Sequence, residues 1–228
     1  VVLAIIFGML LVMFRDLNGD RQPDIYVCND FDSPDRIWLN LGWGRFRALP
    51  RLAVRHSSLF SMSMDFGDLN RDGFDDFIVL DMLNRERVPR LTTMSDRKPP
   101  VYVAGELANR PQYMQTVLQL NRGDGTFAEI GQLAGVAACD WAWNVICLDV
   151  DLDGWEDLLI VNGNVRDARN MDVANVLRAN RTARKMSAQE ILQARVLFPP
   201  FHSANLAFRN RHDSTFEEVG KAWGFDDI

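Results

Sequence analysis

Short apolar runs recur along the chain in groups of four. The first group reads LLVMF, DIYVCN, RIWLNL and GWGRFRAL. The second reads FSMSMDF, DFIVLD, TVLQLN and RGDGTFAEI, and the third WNVICL, DLLIVN, NLAFRN and RHDSTFEEV. Each run is bounded by turn-forming residues and reads as a β-strand. Gly, Asp and Asn before each Phe-centred run suit a tight hairpin. Four short strands in order, repeated, are the signature of a propeller blade. The chain is therefore predicted to be all-β, a partial β-propeller with four-stranded antiparallel blades spanning approximately 3–52, 55–133 and 137–220 of residues 1–228.

Two stretches break the rhythm. Residues 84–113 are rich in Pro and Arg and read as a long excursion. Residues 166–203 form a second insertion, with helical spacing over 166–197, where Ser187 and Glu190 make a capping box. Both insertions fall between the second and third strands of a unit, so both should emerge on the same face. Residues 1–14, VVLAIIFGMLLVMF, carry no charge. They fall short of the ~20 residues a membrane helix needs and show no complete signal peptide. A buried strand pair, broken near Gly8, is predicted there. No transmembrane segment is expected.

Between the first and second strands of every group lies the pattern D-x-[DN]-x-D-x-x-x-D, at 16–24, 68–76 and 149–157. Side-chain oxygens at positions 1, 3, 5 and 9, with a backbone carbonyl at 7, suit a hard cation, and calcium takes about 6–8 such oxygens. The predicted ligands are Asp16, Asn18, Asp20, Gln22 and Asp24 in the first loop. They are Asp68, Asn70, Asp72, Phe74 and Asp76 in the second, and Asp149, Asp151, Asp153, Trp155 and Asp157 in the third. Gln22, Phe74 and Trp155 enter through their carbonyls. Gly73 and Gly154 at position 6 permit the sharp turn, whereas the first loop has Arg21 there. A side chain and a positive charge at that point make the first of the three sites the weakest. An EF-hand is excluded, because position 12 is Val27, Val79 or Ile160 within a strand-like run rather than a bidentate Glu. Solvated turn acids are the plainer alternative, but turn chemistry alone does not need the same ligand set in register three times.

Composition changes this picture little. At 47% hydrophobic and 25% charged, the chain has the balance of a folded soluble protein. Its net charge of -6 argues against a nucleic-acid groove, and three divalent cations would cancel it. Three cysteines, Cys28, Cys139 and Cys147, are no disulfide framework. They read as buried apolar residues, with pairing of Cys139 and Cys147 left open by their spacing.

The segments LQLNRGDGTFAEIGQLAGV, CDWAWNVICLDVDLDGWEDLLIVNGN and LAFRNRHDSTFEEVGKAWGF resemble FG-GAP/VCBS repeat proteins. More narrowly, they are similar to bacterial exported proteins of the ASPIC/UnbV-associated type. The resemblance implies an integrin-alpha-like propeller of about seven blades, calcium in the first hairpin of each blade, and an extracellular or cell-surface location. It names no ligand, since propellers host many functions. A piece of such a ring is expected to leave its flanks bare and to self-associate.

The function expected is a calcium-binding extracellular scaffold for protein or carbohydrate binding. The alternative is a propeller region of a secreted enzyme with its site on the inserted loops. His56, His202 and His212 are scattered and fall in no catalytic motif, although His202 borders an insertion. Trp141 and Trp143 share a strand face and suit either core packing or an aromatic platform.

Overall fold

The computed structural model describes residues 9–30, 33–93, 110–183 and 186–228. The strands in chain order are β1 (Met9–Arg15), β2 (Asp24–Asn29), β3 (Arg36–Asn40), β4 (Phe46–Ala48), β5 (Ser57–Ser58), β6 (Ser63–Gly67), β7 (Asp76–Leu80), β8 (Gln112–Tyr113), β9 (Val117–Asn121), β10 (Phe127–Glu129), β11 (Ala142–Leu148), β12 (Asp157–Asn162), β13 (Leu206–Asn210) and β14 (Phe216–Glu218). The helices are α1 (Arg87–Thr92), α2 (Gly131–Ala134), α3 (Met171–Ala183), α4 (Ala188–Ala194) and α5 (Gly220–Trp223).

The strands make three four-stranded antiparallel meanders, β1-β2-β3-β4, β6-β7-β9-β10 and β11-β12-β13-β14. This is a partial, propeller-like all-β fold with added helices. The first strand of the middle sheet, β6, lies beside both β1 and β11. The sheets therefore meet through their first strands, as blades do around an axis.

Strand β7 shows why the sheets stack. Its five residues, Asp76–Leu80, are all buried, because side chains alternate to opposite faces and each face meets another sheet. Phe77 and Val79 join a cluster with Tyr26, Ile37, Leu39 and Phe66 of the first junction. Ile78 and Leu80 join Leu118, Val145, Leu158 and Ile160 of the second. Each fully buried side chain of this size contributes roughly 1.5–3 kcal/mol. The outer faces differ: Leu10 and Phe14 of β1, and Ile146, Leu148 and Val161 of the third sheet, are all more than 40% exposed.

That finding corrects the expectation for the N-terminal run. The first member of the expected pair, residues 1–8, lies outside the described residues; the second is the strand β1, paired with β2 and buried on one face only rather than throughout. Leu11 and Met13 pack inward while Leu10 and Phe14 face out. Among the described residues no helix is long and apolar enough to cross a membrane.

Both insertions leave from the ends of second strands, opposite the acidic loops. Residues 94–109 of the first lie outside the described residues. Its flanks supply α1 and the two-residue β8, which pairs in parallel with β5. The second insertion contains α3 and α4, and Ser187 caps α4 through the reciprocal pair with Glu190 at 3.2 and 2.8 Å. Arg169 ties the two insertions together by donating to Met82 O and Asn84 Oδ1. Its guanidinium lies 4.4 Å from the Trp141 ring centre.

The three cysteines are free thiols: Cys28 and Cys139 are buried and Cys147 is half-buried. Burial pushes all three pKa values up, that of Cys139 to about 12.

Candidate metal centres

The three acidic loops have one backbone path. Positions 4 and 6 are left-handed in each: Gly19 and Arg21, Arg71 and Gly73, Leu152 and Gly154. Two such residues in quick succession coil the chain so that successive amides point inward. The position-1 carboxylate gathers them. Asp16 accepts from the amides of Gly19, Asp20 and Arg21, Asp68 from Asp72 and Gly73, and Asp149 from Asp153 and Gly154, all at 2.6–3.1 Å. The position-5 aspartate accepts from the position-7 amide in every loop: Asp20 from Gln22, Asp72 from Phe74 and Asp153 from Trp155. Each loop is thus formed by its own side chains.

Positions 3 and 5 are mostly exposed, while position 9 is buried. Asp24, Asp76 and Asp157 are at most 1% exposed. One oxygen of each accepts the position-2 amide, from Leu17, Leu69 or Val150, at 2.9–3.0 Å. The other accepts the amide of the residue ending the third strand, Asn40, Asn121 or Asn210, at 2.7–2.9 Å. Burial raises the pKa of all three, that of Asp76 to about 7, with the amide bonds opposing the rise. These aspartates close the loops from below. Each oxygen keeps one further lone pair.

In the third loop Asp149, Asp151 and Asp153 bring carboxylate oxygens within 4.8 Å of one another. The first two loops have Asn18 and Asn70 at position 3, where the third has Asp151. Both donate to the position-5 carboxylate, at 3.1 and 2.9 Å. The donor set is all oxygen and suits a hard cation.

The side chain at position 7 folds over the turn between the third and fourth strands. A Cβ at Gly42 would meet Gln22 at 3.1 Å, and one at Gly123 would meet the Phe74 ring at 2.7 Å. In the third unit the equivalent residue is His212, held left-handed at φ 64. Its ring stacks on Trp155 at 4.5 Å, and its Nε2 lies 2.8 Å from Asp153 Oδ2. Hydrogen bonds from the Trp155 amide and His212 hold the Asp153 carboxyl below its ordinary pKa.

The other two histidines lie elsewhere. His56 is 3.7 Å from Glu129, and His202 is exposed ahead of β13. The three do not converge on one site. Trp141 and Trp143 stack at 6.2 Å, but a register shift between Ala142 and Asn144 leaves Trp141 buried and Trp143 45% exposed.

The residues that sequence reasoning missed are Asn40, Asn121, Asn210 and His212. A signal existed: an Asn ends the third run of every group, in WLN, QLN and FRN. Residues 16–79, from the first ligand of loop one into β7, match the family model of an FG-GAP-like repeat. No curated protein matches the chain. Over that stretch, two acidic loops with their following strands, the chain is similar to FG-GAP-like repeat proteins.

Proposed function

We propose that the protein is a calcium-binding propeller scaffold, exported to the cell surface or beyond it, whose insertions present a surface to a protein or glycan partner. The observation that best supports this is the convergence of Asp149, Asp151 and Asp153 on a turn that recurs twice more. Calcium suits a flexible all-oxygen shell better than magnesium, which demands a strict octahedron. Asp16, Asn18 and Asp20 would serve the first loop, and Asp68, Asn70 and Asp72 the second. Carbonyls of Gln22, Phe74 and Trp155 would complete each set, with free lone pairs of Asp24, Asp76 and Asp157. Bound there, calcium would neutralise the loop carboxylates and fasten the hairpin that starts each sheet. Extracellular modules hold calcium with dissociation constants of about 10⁻⁴–10⁻³ M, which accords with export and with the resemblance to ASPIC/UnbV-associated proteins.

For the partner surface, α3 and α4 bury none of their residues. A groove of about 570 Å³ runs between α3 and Phe198, lined by Ala174, Leu177, Arg178, Arg181 and Thr182.

Isothermal titration tests the metal reading. Calcium should bind at sub-millimolar to millimolar concentration, with the weakest site lost in Asp16→Ala and the tightest in Asp151→Ala. Absence of binding at millimolar calcium would sink it. Protein and glycan arrays probed with and without calcium test the partner.

A further inference from the structure

Asn121 and Asn210 each touch two acidic loops. The Asn121 amide donates to Asp76 Oδ1 at 2.8 Å, and its Nδ2 donates to Asp75 O at 3.2 Å, both within loop two. The same Nδ2 donates to Leu17 O at 3.1 Å, in loop one of the neighbouring sheet. Asn210 repeats this one sheet further on. Its amide donates to Asp157 Oδ1 at 2.9 Å, and its Nδ2 donates to Glu156 O at 3.1 Å and to Leu69 O at 2.8 Å. Both asparagines are at least 96% buried, and each Oδ1 is fixed by the amide two residues on. Asn40 makes the same bonds to its own loop, through Asp24 and Pro23.

The residues they reach are well placed to transmit an effect. Leu17 and Leu69 occupy position 2, between the ligand positions 1 and 3. Their amides are held by Asp24 and Asp76 and their carbonyls by the next sheet's asparagine. Both ends of that residue are thereby set, one by its own loop and one by its neighbour's.

We propose that Asn121 and Asn210 are positioning residues that couple adjacent cation loops, so that ordering one loop orders the next. The inference rests on the calcium reading above. Filling loop two fixes the Leu69 backbone, which fixes the Asn210 amide group, which holds Asp157 and the start of loop three. A second ion then meets a loop already ordered, and its affinity rises. Through-space repulsion between two cations has the opposite sign, so the direction of the effect separates the two causes.

The test uses the full chain at high salt, where repulsion is screened. Trp155 fluorescence reports loop three, with Trp155→Phe as the control that abolishes the signal. Emptying loop two by Asp72→Ala should raise the calcium concentration that half-fills loop three by about five-fold. In an Asn210→Ser background the same change should move it by less than about two-fold. An unchanged midpoint in the first case, or an undiminished shift in the second, overturns the proposal.

A metal-free arm keeps the two readings separate. In chelator, Asn210→Ser should speed amide exchange at Asp72, Gly73 and Phe74 as well as at Asp153, Gly154 and Trp155, and leave Asp20, Arg21 and Gln22 unchanged. Faster exchange in loop three alone overturns the coupling, whatever calcium does. A chain with no calcium signal fails the metal reading, and this arm still decides the coupling. Should Asn210→Ser not fold, Asn121→Ser serves, with its effect on loops one and two.

Discussion

The middle sheet meets its two neighbours by different means. Toward the first sheet the contact centres on aromatic rings: Phe77, with Phe66 and Phe127 of its own sheet, meets Tyr26 of the first, all at ring distances of 6.1 Å or less, beside Ile37 and Leu39. Beside it Arg15, just before the first loop, grips Asp75 at position 8 of the second with two bonds of 2.6 and 2.7 Å. Toward the third sheet the contact is aliphatic, built on Ile78, Leu80, Leu118, Leu158 and Ile160. Polar bonds from Ser63 to Asn144 and from the Cys147 amide to Asp65 accompany it. There Gly67 stands where the first junction has Arg15, and Glu156 where it has Asp75. A Cβ at position 67 would lie 1.8 Å from Glu156 Oε2, which is buried with no hydrogen-bond partner among the described residues. Equivalent positions can thus hold an ion pair at one junction and an uncompensated carboxylate at the next, because hydrophobic burial carries both interfaces.

Breaking those faces should have the largest effect. Phe77→Ala should cost about 3–5 kcal/mol and Ile78→Ala about 2–4 kcal/mol, since both side chains are fully buried. Urea denaturation checks the order. If Ile78→Ala proves the more costly, the aliphatic junction is the main support.

Next comes pH. Asp35 accepts from the Tyr26 and Ser61 hydroxyls at 2.8 and 2.9 Å, joining the first two sheets. Asp81 accepts from the Ser58 hydroxyl at 2.6 Å. Burial raises both pKa values from 3.8 to about 6. The folded state therefore binds protons more tightly than the unfolded one between those values. Stability is fully present below the ordinary value and is lost as pH rises through about 6. In chelator, the unfolding free energy from urea denaturation should fall between about pH 4 and pH 7, by an amount on the order of 1–3 kcal/mol. Asp35→Asn should flatten part of that slope.

A smaller effect separates the two carboxylates. Burial, together with Asp65, Asp68 and Asp75, raises the Glu156 pKa. Glu156→Gln should therefore stabilise the metal-free protein at neutral pH, by about 1 kcal/mol or less given its partial exposure. Asp75→Asn should destabilise it by a similar small amount, as the half-exposed Arg15 loses its partner. Equal signs in thermal melts would erase the difference between the junctions.

The smallest effect lies in the loops. Arg21 holds φ 65 where loops two and three have glycine. Left-handed backbone costs an ordinary residue about 1–2 kcal/mol, and glycine offsets part of that through its freedom in the unfolded chain. Arg21→Gly should raise stability in chelator by about 0.5–1 kcal/mol, and Gly154→Ala should lower it by about 1 kcal/mol.

Much of this architecture is legible from the residues in order. Strand order, the place of the insertions and the Ser187 cap depend on neighbours a few positions apart, and so does the loop geometry, in which Asp68 bonds amides four and five residues on. Such local contacts leave a repeating trace, and three copies make it readable. The role of position 9 was only half visible. Its aspartate reads as a ligand by spacing, but its burial and its bond to a third-strand amide appear only when the hairpins fold together.

The longer links belong to the tertiary structure alone. Whether Leu10 or Leu11 faces inward follows from which sheet lies alongside, because strand alternation offers both faces equally. The bonds from Asn121 to Leu17 and from Asn210 to Leu69 span 104 and 141 residues. Arg15 finds Asp75 across 60. An asparagine amide that closes a turn within its own sheet has the same local sequence whether or not a neighbour's carbonyl stands within reach. The order of residues suffices for three loops whose turns are closed by their own side chains. Stacking of the sheets decided that those loops share hydrogen bonds, by bringing a buried donor of one unit to the unsatisfied carbonyl of another.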